Sequence, residues 1–320
     1  MRMALFAAGP NPWEFQAHPE VWFLVGSVFA LGVFVNRVIA PKVPASQLGD
    51  GPAITRRQKA WFLAGVAVLW VASDWPMHDI AEEHLYALHM FQHFLLTMVV
   101  PPMFWLATPA WLARLVIAPG ARGWRWMVRL ANPIVATVIF SAMTVATHWG
   151  VVVNTSIEIG AVHYIVHLLV VTAALIMWIP VVGPWAELRL TPVAQCIYLF
   201  VQSIIPTVPG AWLTLANDVV YTAYNRDYDV WGISAVIDQQ IAGLFMKVGG
   251  GSFLWLLIAI IFFRWALGLE RDEQRARIVT LADGLTYTDV TSEFERIGDP
   301  PADQPGPASG REPQPRAPGR

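Results

Sequence analysis

Apolar runs of about 20 residues recur along this chain, the length a helix needs to cross a hydrocarbon core about 30 Å thick. The composition agrees: 56% of the residues are hydrophobic and only 14% charged, where a soluble domain carries about a quarter charged. The expected fold is therefore all-α, a polytopic membrane helix bundle with the lipid bilayer as its surroundings. The net charge of −2 decides nothing, because the charges are segregated along the chain. The single Cys196 excludes an intramolecular disulfide and any multi-thiolate metal site. The opening stretch MRMALFAAGPNPW has too short an apolar core for a signal peptide. No Gly-rich phosphate loop occurs, and no basic patch points to nucleic acid as a partner.

Seven spans are expected. They cover about Val21 to Ile39, Trp61 to Ser73, Leu85 to Leu106, Pro133 to Trp149, Ile159 to Ile179 and Pro192 to Leu215, with a last one ending near Trp265. The second is short unless its flanks, Gln58 to Lys59 and Asp74 to Trp75, are partly helical. Pro206 and Pro209 should kink the sixth. Basic residues set the orientation. Arg37, Lys42, Arg56, Arg57 and Lys59 follow span 1, Arg114, Arg122, Arg125 and Arg129 follow span 3, and Arg189 follows span 5. The alternate loops carry Asp74, Asp79, Glu82, Glu83, Glu158, Asp218, Asp227 and Asp229, with Arg226 as their one basic residue. The N-terminus is thus expected outside and the C-terminus, from Arg264 and Arg271, in the cytoplasm. The divisions follow: an outer segment over 1–19, a seven-helix membrane domain over 20–269 and a cytoplasmic tail over 270–320. The last stretch, DPPADQPGPASGREPQPRAPGR, has the composition of a disordered segment. Trp22, Trp61, Trp75, Trp105, Trp149, Trp178 and Trp265 fall near span ends, as interfacial anchors do.

All eight histidines, at 18, 78, 84, 89, 93, 148, 163 and 167, fall in outer loops or outer span halves. In HDIAEEHLYALHMFQHFLLTMVVPP, from His78 to Pro102, His89 and His93 are four residues apart and share one helix face. His163 and His167 repeat the spacing in span 5. At about 1.5 Å per residue the two pairs lie at matched depths, roughly 6 and 12 Å into their spans. Ionisable groups inside a span are costly unless paired or functional, and neutral imidazole binds copper, zinc, iron and nickel. His89, His93, His163 and His167 are therefore the candidate metal or haem ligands; a proton relay or a structural hydrogen-bond cluster is the competing use. Candidates for further ligation or for support are His78, His84, His148, Asp79, Gln92, Met90 and Asp238, with Glu82 and Glu83 just above span 3. Met77 and Met246 are further soft donors, although methionine in a span is usually packing. Asp238 alone is more simply a helix-start carboxylate. Lys247, ahead of Gly249, Gly250 and Gly251, is expected to snorkel to the boundary.

HMFQHFLLTMVVPP, the HW pair closing span 4, HYIVH and DQQIAGLFM together resemble the CtaG-like cytochrome c oxidase assembly factors over about residues 20 to 268. Lys247 stands where that pattern has an aromatic residue. The resemblance implies a seven-span bacterial plasma-membrane protein, not an enzyme, that matures a haem–copper oxidase by binding and delivering copper. It implies an oxidase subunit as partner, with a copper donor on the outer side. Carried over by position, the ligands are His89, His93, His163 and His167, with His148 and Asp238 behind them. Three other readings remain open: a haem-binding redox protein or haem-modifying enzyme, a copper or proton transporter, and a structural partner of the oxidase without metal.

Overall fold

The computed structural model describes residues 11–48, 51–226, 228–282, 291–292 and 294–295. Among these residues the chain is helical, with no strand beyond one isolated bridge between Val230 and Ile233. The disorder expected of the last stretch and the charge of Asp227 lie outside the described residues.

In chain order, α1 (Pro19–Lys42) precedes α2 (Arg56–Ser73), which bends by 48° into α3 (Met77–His84), and α4 (Tyr86–Ala107) follows. Short α5 (Ala110–Val116) leads to α6 (Trp124–Leu130) and α7 (Pro133–Thr147), the last two meeting at 69°. Then come α8 (Gly150–Glu158), α9 (Gly160–Val182), α10 (Pro192–Leu215) and α11 (Ala235–Gln274). Five helices, α1, α4, α9, α10 and α11, are long and apolar enough to cross a membrane, and the two bent pairs raise the number to as many as seven. Large apolar side chains such as Phe23, Leu168, Trp212 and Leu215 stay exposed on the outside of the bundle, as lipid-facing surfaces require.

Local chemistry explains the helix starts. Thr55 and Gln58 form a capping box at α2, each side chain answering the other's backbone N–H. Asn132 caps α7 ahead of Pro133 at the first helical position. The flank Gln58 to Lys59 thus belongs to α2, whereas Asp74 and Trp75 break the chain before α3. Asp74 ties the first two helices together by accepting from Trp22 Nε1 at 3.0 Å and Trp70 Nε1 at 2.6 Å. The α10 kink falls at Ile205 and Pro206, where the sequence places it.

The core lies between α4, α7, α9, α10 and α11, around Met98, Phe140, Met177, Trp178, Leu199 and Leu254. Trp178 corrects the expectation of an interfacial anchor: it is 1% exposed, and its Nε1 donates to Thr97 O at 2.9 Å. That carbonyl lies in a widened π-helical turn of α4, Leu95–Val99. Such turns interrupt the regular backbone ladder and leave carbonyls free for outside donors. Another π-turn, Phe245–Gly250, interrupts α11, and Lys247 lies exposed on it.

Candidate metal centre

Helix α4 starts without a side-chain cap of its own, because Leu85 has no acceptor to offer. Asp238 of α11 supplies one, accepting from Tyr86 N at 2.8 Å and Ala87 N at 2.9 Å. Arg226 donates to the same carboxylate at 3.1 Å, and both side chains are buried. Asp238 therefore fixes where α4 begins, and with it His89 one turn and His93 two turns further in. It stands behind the histidines and not among them.

The α4 and α9 pairs face each other. Ring centroids lie 4.5 Å apart for His89 and His93, 4.6 Å for His93 and His167, and 5.9 Å for His89 and His167. One nitrogen from each of these three rings lies within 4.8 Å of the others. His89 Nδ1 and His167 Nε2 are buried without a hydrogen-bond partner. Three imidazoles brought this close from two helices, with buried unpartnered nitrogens among them, suit a metal ion, whose bonds would answer them.

His163 is brought to the edge of this group, not into it. Its ring is 4.2 Å from that of His167, but its Nε2 lies 2.5 Å from Glu82 Oε1, off the axis of a hydrogen bond. The four-histidine site expected from the spacing thus resolves into a triad and a fourth ring turned toward a carboxylate. His78 Nε2 approaches the same Glu82 oxygen at 3.2 Å. Gln92 Nε2 donates to Ala72 O at 2.8 Å and to His78 Nδ1 at 3.0 Å, so a neutral His78 carries its proton on Nε2, facing Glu82. Gln92 is thereby a support for His78. Asp79 pairs with His18 Nε2 at 2.5 Å. Burial lowers the His18 pKa, but the hydrogen bond and charge of Asp79, then those of Glu20, outweigh it and raise the pKa above the ordinary value.

His148 closes α7 with Nδ1 2.6 Å from Thr144 O, and its Nε2 is buried without a partner. It walls two small cavities beside His93: one of about 20 Å³ shared with the triad, and one of about 80 Å³ lined by Met90, Met98, Met143 and Met246. His84 is buried but makes no ring contact with the other histidines among the described residues. Sequence reasoning gave His18 no role and set Glu82 only among the carboxylates near span 3. The signal for Glu82 was its position four residues after His78.

The family model of the cytochrome c oxidase caa3 assembly factor (Caa3_CtaG) matches residues 42–267, most of the chain. The chain belongs to that family. Comparison with curated proteins and with solved structures gives no match. The matched region of this caa3 assembly factor holds every member of the triad together with His78, Glu82 and His163, while His18 and Glu20 lie before it. Membership makes the protein an oxidase assembly factor that works in association with the oxidase and the membrane.

Proposed function

We propose that the protein serves oxidase assembly by holding copper on His89, His93 and His167 and passing it to an oxidase subunit. The observation that carries this reading is the convergence of three imidazole donors within 4.8 Å, two of their nitrogens buried and unanswered. In this reading copper is cargo, and the protein holds and releases it without turnover. The chain crosses the bacterial plasma membrane seven times, both bent pairs counting as spans, with the N-terminus and the histidines at the outer side. A copper donor on that side supplies the ion.

Cavity size disfavours haem. The spaces beside the histidines, about 20 and 80 Å³, suit an ion or a few waters rather than a porphyrin. Transport is disfavoured by the other halves of α4 and α9. The hydroxyls there, Thr97 and Thr172, are each spent on a carbonyl of their own helix, His93 O and Leu168 O.

Metal analysis tests the reading. Purified protein equilibrated with Cu(II) and desalted should retain about one copper per chain with nitrogen hyperfine structure in its EPR spectrum. H89A, H93A and H167A should each weaken retention at least about 10-fold, the loss typical when even a supporting residue of a metal site is removed. Wild-type protein that retains no copper overturns the proposal.

A further inference from the structure

Of the triad, His89 is buried and His93 and His167 are half-buried, so an ion coming from water must pass the side chains around them. The side chains between it and water at the His18 end form a connected series. The His18 and His78 rings are 4.9 Å apart, those of His78 and His163 6.0 Å, and those of His163 and His167 4.2 Å. Two carboxylates stand along this line, Asp79 against His18 and Glu82 between His78 and His163. Their settings differ. The Asp79 side chain is 4% exposed and closed over by His18, whereas that of Glu82 is 28% exposed and touches water. His163 beside it is 6% exposed, with its Nε2 buried and lacking a hydrogen bond.

We propose that Glu82 and His163 form a loading pair, a transient copper site through which the ion passes from water to the His89–His93–His167 triad. This rests on the copper reading above and names how that site is filled. A carboxylate at the water boundary attracts a hydrated cation and can exchange with its waters. An oxygen and an imidazole nitrogen form a harder donor set than three imidazoles and hold copper less tightly. The transfer is a ligand exchange: the copper bonds to the Glu82 oxygen, the His163 nitrogen and any remaining waters break as nitrogens of His167, His89 and His93 bind, and no electron moves. His78 is a positioning residue, because its Nε2 lies 3.2 Å from Glu82 Oε1 while Gln92 occupies its other nitrogen. The two donors of the pair come from α3 and α9, so the bend between α2 and α3 is what brings Glu82 over the triad.

The pair predicts a kinetic defect without a loss of capacity. Full-length protein in detergent is mixed with Cu(II) in a stopped flow, and triad filling is followed by its absorption, with the endpoint checked by EPR. E82Q and H163Q should load at least about 10-fold more slowly and still reach one copper per chain with the wild-type spectrum, which also shows that they are folded. E82D, which keeps the carboxylate, should load within about threefold of wild type. Wild-type rates in both E82Q and H163Q overturn the loading pair while leaving the copper reading in place. Loss of the final copper in both variants overturns it as well, by making the two residues ligands of the triad site. A wild-type protein that binds no copper removes the copper reading itself, an outcome visible before any variant is made.

Discussion

A buried carboxylate is costly unless the groups around it answer its charge, and Asp238 meets that condition through two backbone N–H groups and Arg226. Alanine at this position leaves the guanidinium, 7% exposed, without its counter-charge and strips the start of α4 of its acceptors. Removing one partner of a buried pair costs about 3–5 kcal/mol. D238A should therefore show a much lower midpoint of thermal unfolding in detergent, read by tryptophan fluorescence; an unchanged midpoint would show that Asp238 does not hold α4. From sequence, Asp238 is a helix-start carboxylate for its own helix. Its actual partners lie 152 and 151 residues earlier, at Tyr86 and Ala87, and no local pattern reports such a pairing. Histidine spacing was more informative: four-residue intervals at matched depth bring the α4 and α9 pairs face to face. What spacing left open was the choice His163 makes, because its neighbour Glu82 arrives through a bend in another helix.

At the scale of elements, the positions of the five long apolar helices followed from hydropathy and the α10 kink from Pro206, since both depend on the residues of one segment. Contacts between helices did not follow. Helices α10 and α11 meet backbone to backbone at Gly210 and Gly243. A Cβ on Gly243 would lie 2.5 Å from Gly210 O and 2.6 Å from Thr214 Oγ1, and one on Gly210 would lie 2.8 Å from Gly243 O. In a bilayer helices associate through close packing of small residues more than through exclusion of water, so this contact is central to the bundle. The obstacle is backbone, which cannot swing aside as a side chain does. G243A should destabilise by about 1–3 kcal/mol, the usual cost of overpacking, and lower the thermal midpoint. G268A, where an added Cβ meets nothing within 4 Å, is the control that should not lower it, since alanine favours a helix over glycine. Equal midpoints for the two variants would mean that the helices do not pack as closely as described.

For the whole molecule, the number of crossings depends on two bends. If α6 and α7, meeting at 69°, together make one span, Arg122 before them and Glu158 at the end of α8 lie on opposite sides of the membrane. If the pair turns back as a re-entrant loop, the two residues share a side. Charge segregation favours the first arrangement, because the segment before α7 carries Arg114, Arg122, Arg125 and Arg129 while the one after it carries Glu158. Both Arg122 and Glu158 are exposed, and with Cys196 replaced by serine each can carry the only thiol. In spheroplasts of a bacterial host, E158C should react with a membrane-impermeant maleimide, and R122C should react only after lysis. Labelling of both thiols in intact spheroplasts would make α6 and α7 a re-entrant pair and reduce the crossings. Labelling of R122C alone would invert the protein and put the histidine triad at the cytoplasmic side, where a loading pair facing outer water would have no purpose. The topology experiment therefore bears on the metal site as directly as any substitution within it.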